Sequence, residues 1–135
     1  GETLQAVQLG NMAAMRDWGH ARDFVNGMWL MLQQDQPDDY VLATGVQHSV
    51  RDFVNLTLQC YGQASAMWFG SGLTEHCRDV VGGKVFVEAN EAFYRPADVN
   101  TLLGDSTKAR EKLGWQPQYD LAGLVLDMCQ EEMKQ

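Results

Sequence analysis

The sequence predicts a mixed α/β chain of short strands and about four helices. Apolar residues recur at three- and four-residue steps in the segments that begin at His20, Ser49 and Asp120, which is helical periodicity. Short apolar or alternating runs at Leu4–Leu9, Tyr40–Ala43, Ala66–Phe69 and Lys84–Val87 have strand character. Strand, loop and helix alternate along the chain, as in α/β units.

Leu4 to Leu9 alternates apolar and polar residues and runs into a turn at Gly10-Asn11. A loop follows to about Gly19. From His20 the positions Ala21, Phe24, Val25, Met28, Trp29 and Leu32 define one helical face, expected to be buried, and the helix stops near Pro37. Tyr40-Val41-Leu42-Ala43 reads as a strand covered on both faces. Ser49 with Asp52 is a capping box, and Val50, Phe53, Val54, Thr57, Leu58 and Tyr61 stripe a helix that ends at Gly62. The glycine-rich stretch from Gln63 to Gly83 reads as a surface excursion with one strand at Ala66–Phe69. Lys84–Val87 then leads into Tyr94-Arg95-Pro96, where the proline holds Arg95 extended. Asp105 is the expected N-cap of a helix over Ser106–Leu113, stopped by Gly114 and Pro117. Asp120 is expected to cap a last helix that buries Leu121, Leu124, Val125, Met128 and Cys129 on one side.

At 135 residues, 45% hydrophobic and 21% charged, the chain is read as a single domain, 1–135, able to bury a core. A net charge of −8 with scattered Lys and Arg argues against a nucleic-acid partner. No run approaches the ~20 apolar residues of a membrane span and no signal-peptide layout opens the sequence, so a cytoplasmic location is expected. Cys60, Cys77 and Cys129 are widely spaced and form no CxxC, which predicts reduced, mostly packed thiols.

The candidate chemistry narrows quickly. Gly70-Ser71-Gly72 has Glu75 where a dinucleotide fingerprint needs its third glycine or alanine, so it reads as a turn. His20, His48 and His76 are too dispersed for a metal ligand set, and no metal is expected. No local nucleophile signature is present. Arg16, Arg95 and Asp98 remain: two guanidinium forks can grip a diphosphate and a carboxylate can read a hydroxyl. On residue type alone, surface ion pairing is the plainer reading of both arginines.

The run Leu9-Gly10-Asn11-Met12-Ala13-Ala14-Met15-Arg16-Asp17-Trp18-Gly19-His20-Ala21-Arg22-Asp23-Phe24-Val25 resembles GDP-mannose 4,6-dehydratases, a branch of the extended short-chain dehydrogenase/reductase superfamily. In the same order follow Pro37-Asp38-Asp39-Tyr40-Val41-Leu42-Ala43-Thr44-Gly45, Ser49-Val50-Arg51-Asp52-Phe53-Val54, Phe93-Tyr94-Arg95-Pro96-Ala97-Asp98-Val99 and Lys112-Leu113-Gly114-Trp115-Gln116-Pro117. The resemblance implies the C-terminal, substrate-binding part of that α/β fold without its N-terminal Rossmann half. It implies that Arg16 and Arg95 contact the nucleotide diphosphate, that Asp98 accepts from a ribose or sugar hydroxyl, and that backbone around Gly10 and Asn11 lies along the base. The family usually has glutamate where Asp98 stands. Asp17 and Asp23 are assigned to structural pairing or helix capping.

In that family the reaction is an NADP-dependent lyase cycle on GDP-mannose, and the resemblance places its cofactor loop, Tyr-x-x-x-Lys and glutamate base in the N-terminal portion. None of the four tyrosines here has lysine four residues on. No catalytic or cofactor-binding residue is therefore assigned, and dehydration by this chain alone is not expected. Three readings follow: a truncated dehydratase carrying the nucleotide-sugar grip, a stand-alone nucleotide-sugar binding module, or an assembly module whose Met- and Trp-rich helix 20 to 34 makes a homo-oligomer.

Overall fold

A computed structural model describes residues 5–95 and 103–134. The chain divides into two units, one of residues 1–14 and 49–100, the other of residues 15–48 and 101–135.

The first unit is a sheet with one helix. Strands β1 (Val7–Leu9), β4 (Ala66–Phe69), β5 (His76–Asp79) and β6 (Val85–Ala89) pair in the order β1-β6-β5-β4. β4 and β5 are antiparallel, with Trp68 opposite Cys77. β1 and β6 are parallel, with Val7, Gln8 and Leu9 opposite Val87, Glu88 and Ala89. Met12, Cys77 and Val87 form the buried centre, covered by Val50, Val54 and Leu58 from helix α2 (Val50–Cys60). The capping box forms as predicted: Asp52 N–H donates to Ser49 Oγ at 3.0 Å, and Ser49 N–H to the Asp52 carboxylate at 3.1 Å. The helix stops at Gly62, which takes φ +70°. The Gln63–Gly83 stretch is not a surface excursion. It supplies two of the four strands and the fully buried Cys77, because cross-strand pairing with β6 rescues segments too short to show a period of their own. Within it, Arg51 Nε donates to Glu75 at 2.8 Å, neutralising a buried carboxylate.

The second unit begins at β2 (Met15–Arg16) and holds helix α1 (Ala21–Leu32), α3 (Thr107–Leu113) and α4 (Leu121–Met133), with β3 (His48–Ser49) at its boundary. Ala109, Leu113 and Trp115 are its buried centre, packed by Phe24, Leu30, Met31, Tyr40 and Leu42. The predicted buried face of α1 is wrong: Val25, Met28, Trp29 (57% exposed) and Leu32 (81% exposed) face solvent. The helix instead buries Gly27, whose Cα faces Leu42 and Trp115, and Asp23, whose carbonyl accepts the Trp115 indole N–H and whose carboxylate accepts the Gln118 and Tyr119 N–H groups. Tyr40–Ala43 forms no strand among the described residues. Tyr40 and Leu42 still pack on the core as irregular chain. α3 starts one residue later than predicted: Ser106, not Asp105, is its N-cap, and the Asp105 carboxylate accepts Thr107 N–H at 3.0 Å from the position before the cap. Asp120 caps α4 by accepting Gly123 N–H at 2.7 Å; Leu121, Leu124, Val125 and Cys129 are buried there, and Met128 is exposed.

Candidate functional site

In the first unit, the parallel pairing of β1 with β6 makes both strands end side by side. The chain leaving β1 is Gly10-Asn11, and the chain leaving β6 is Asn90 through Arg95. Asn90 N–H donates to Leu9 O at 2.7 Å, and the Asn90 side chain donates to Gln8 at 3.0 Å. A Cβ on Gly10 would lie 2.3 Å from Phe93 O, so only glycine permits this approach. Three of the residues assigned from the sequence, Gly10, Asn11 and Arg95, are thereby carried on two adjoining segments at the carboxyl ends of parallel strands, where open α/β sheets bind ligands.

The segment after β6 is shaped by its own hydrogen bonds. Asn90 caps a short turn over Glu91–Phe93 by accepting Ala92 N–H at 2.8 Å, and Tyr94 N–H returns to Glu91 O at 3.1 Å. A cleft of about 410 Å³ is lined here by Leu73, Glu91, Tyr94 and Arg95. This is within the ~300–1,000 Å³ of small-molecule sites. Arg95 is exposed and Tyr94 half-buried. Leu73 and Glu91 were not anticipated from the sequence. Leu73 reaches the cleft through a turn at Gly72–Thr74, tied to the end of β6 by Ala89 N–H donating to Glu75 O at 2.9 Å, a long-range contact with no local signal.

Asn11 turns the chain: its side-chain oxygen accepts Ala13 N–H at 3.0 Å, and its carbonyl accepts Ala14 N–H at 3.2 Å. The other assigned residues are placed differently. Arg16 belongs to the second unit, where it is half-buried in β2 and its Nη1 donates to Met15 O at 2.8 Å. Asp98 lies outside the described residues. Asp17 and Asp23 do have structural roles. Asp17 accepts from the Thr44 hydroxyl and, at 2.9 Å, from Gly45 N–H; Asp23 accepts two backbone N–H groups. A cleft of about 500 Å³ in the second unit, with Trp18, His48, Arg110 and Tyr119 in its lining, contains none of the residues assigned to binding.

A family model described as GDP-mannose 4,6 dehydratase matches residues 2–128. The chain belongs to the GDP-mannose 4,6-dehydratase family. It is 46% identical over 129 residues to the GDP-mannose 4,6-dehydratase of Sinorhizobium fredii (strain HH103), a match that covers 96% of this chain and 36% of that protein. To the GDP-mannose 4,6 dehydratase of Homo sapiens it is 44% identical over 131 residues, covering 97% of this chain and 35% of the relative. The chain thus spans about a third of the length of the curated relatives it matches. Among solved structures, a Thermotoga maritima UDP-glucose 4-epimerase crystallised with UDP-glucose aligns with TM-score 0.72 and 22% identity over 96% of this chain and 35% of its own. A dTDP-glucose 4,6-dehydratase from Bacillus anthracis, in complex with NAD, aligns with TM-score 0.69 and 15% identity over 96% and 35%. At these identities the likeness is one of fold: mixed α/β, matching extended short-chain dehydrogenase/reductase enzymes over about a third of their length.

Proposed function

We propose that this chain supplies the nucleotide-sugar binding part of a GDP-mannose 4,6-dehydratase. The carrying observation is that Gly10-Asn11 and the Tyr94-Arg95 segment emerge together at the carboxyl ends of β1 and β6, beside a cleft of ligand size. Arg95 is the diphosphate donor beside this cleft, since guanidinium groups stay charged at any working pH and match phosphate oxygens bidentately. Asp98 accepts from a hydroxyl of the bound nucleotide sugar. Dehydration also needs NADP and a Tyr-x-x-x-Lys pair, and no tyrosine of this sequence is followed by lysine at that spacing. The 135-residue chain therefore binds GDP-mannose without converting it.

The test is a calorimetric titration of the chain with GDP-mannose, with UDP-glucose as control. Binding selective for GDP-mannose is expected, and Arg95→Ala should weaken it by about 1.5–3 kcal/mol, the range for hydrogen bonds to charged groups. Unchanged affinity in Arg95→Ala would remove that residue from the site.

One observation favours the alternative, an assembly role. Val25, Met28, Trp29 and Leu32 are spaced as one helical face and are all exposed, a stripe that a second copy of α1 could cover across a two-fold axis. Light scattering distinguishes the two: a dimer dispersed by Trp29→Gln supports assembly, and a monomer at working concentration removes it.

A further inference from the structure

We propose that Arg51 and Glu75 are a positioning pair for the candidate site of the first unit, an inference that rests on the nucleotide-sugar reading above. Glu75 is 7% exposed, and its carboxylate accepts from both Nε, at 2.8 Å, and Nη2 of Arg51. Neither residue lines the cleft formed by Leu73, Glu91, Tyr94 and Arg95. Their backbones hold the segments that do build the site. On the Arg51 side, Arg51 N–H donates to Met12 O at 3.0 Å and Val50 N–H to Ala14 O at 3.1 Å, so the start of α2 fixes the chain that leaves Gly10-Asn11. On the Glu75 side, Glu75 N–H closes the Gly72–Thr74 turn by donating to Gly72 O at 3.3 Å, and Glu75 O accepts Ala89 N–H at 2.9 Å, which seats the turn of Leu73 on the end of β6. The ion pair is thus a side-chain tie between the chain after β1 and the turn that brings Leu73 to the cleft.

Stability alone is a poor reason for such a pair. Desolvating a carboxylate and a guanidinium costs about as much as their attraction returns, and apolar side chains of similar volume often serve as well or better. A forked guanidinium gives what an apolar contact does not, a fixed distance and angle. The same guanidinium lies 5.6 Å from the centre of the Trp68 ring, and Trp68 is itself anchored by its indole N–H, which donates to Asn55 of α2 at 2.7 Å. The fork is therefore held at both the carboxylate and the ring.

The experiment measures GDP-mannose affinity by calorimetry, and the urea midpoint, for the full chain and three variants: Glu75→Gln, Arg51→Met/Glu75→Leu, and Val54→Ala, which loosens the same core from another residue of α2. Glu75→Gln removes a negative charge from the unit that carries Arg95, so charge alone would tighten the binding of a diphosphate. A positioning role predicts the opposite sign, a weakening of about tenfold, as for the loss of one oriented hydrogen bond to a charged group. The double variant should recover most of the wild-type midpoint and still bind about tenfold more weakly. Val54→Ala should lose stability and keep its affinity. Unchanged or tighter binding in Glu75→Gln, or wild-type affinity in the double variant, overturns the inference and leaves the nucleotide-sugar reading standing. So does a loss of affinity in Val54→Ala that matches Glu75→Gln, since binding then follows stability alone. If the double variant does not fold, the comparison of Glu75→Gln with Val54→Ala decides. If the wild type binds no GDP-mannose, the nucleotide-sugar reading itself fails and takes this inference with it.

Discussion

The Asp23 carboxylate accepts the backbone N–H of Tyr119 at 3.1 Å and that of Gln118 at 2.9 Å, while the Asp23 carbonyl receives the Trp115 indole N–H at 2.8 Å. One residue of α1 thus satisfies three donors of the chain between α3 and α4. Asp23 is almost fully buried and Trp115 is 1% exposed, so water cannot replace these bonds.

Asp23→Ala should therefore destabilise the second unit by about 2–4 kcal/mol, since two backbone donors lose a charged acceptor in the interior. Asp23→Asn, which keeps one acceptor oxygen, should cost less. Urea unfolding followed by Trp fluorescence reads the difference as a shift in midpoint. Equal midpoints for wild type and Asp23→Ala would contradict the assignment.

The two faces of α1 give opposite expectations. Gly27 faces the core, and a Cβ there would lie 2.7 Å from Leu42 Cδ1 and 3.0 Å from Trp115 Nε1. Gly27→Ala should lower the melting temperature even though alanine gains about 1 kcal/mol of helix propensity, because overpacking costs about 1–3 kcal/mol. Trp29→Gln, on the exposed face, should change stability by no more than about 0.5 kcal/mol. A large loss in Trp29→Gln would mean that the stripe is covered in solution.

These two faces also mark how far the sequence carries. Signals that act within a few residues were read correctly: the Ser49–Asp52 box, Asp120 before α4, and Gly62 and Gly114 at helix ends. The failures needed distant chain. Periodicity marks an apolar stripe on α1 but not which side the Trp115 cluster takes. Tyr40–Ala43 has strand composition, yet an apolar run packs on a core without a ladder. At the candidate site, Arg95 and Gly10 came from motif resemblance. Leu73 and Glu91 came only from the closure of a turn against the end of β6.

His20 and Asp127 predict an acid limit. His20 Nδ1 accepts Arg22 N–H at 3.0 Å to cap α1, so its ring proton sits on Nε2 and is donated to the Asp127 carboxylate at 2.8 Å. This hydrogen bond, helped by the charge of Arg22, holds the Asp127 carboxyl below the usual aspartate range. A carboxyl depressed on folding stabilises above its unfolded pKa, and the contribution is lost as pH falls through the folded one. The melting temperature should accordingly fall as pH drops below about 4, the ordinary aspartate value. Asp127→Asn should show a shallower decline over that window. Parallel acid profiles for the two proteins would contradict the linkage.

Gly10→Ala tests whether the approach of β1's end to Phe93 matters for binding. The added Cβ would stand 2.3 Å from Phe93 O and 2.9 Å from its carbonyl carbon, both backbone atoms that no rotamer change can move. The segment from Asn90 to Arg95 must shift, at a cost of about 1–3 kcal/mol typical of overpacking. The segment that must shift lies beyond the end of β6 and forms no strand or α-helix, so far-UV circular dichroism should be little changed. Affinity for GDP-mannose should fall at least tenfold, as in Arg95→Ala, because the guanidinium is displaced with its backbone. The double variant should be little worse than either single one, since both remove the same contact. Full affinity in a folded Gly10→Ala protein would separate the glycine approach from the site and leave Arg95 to act without it.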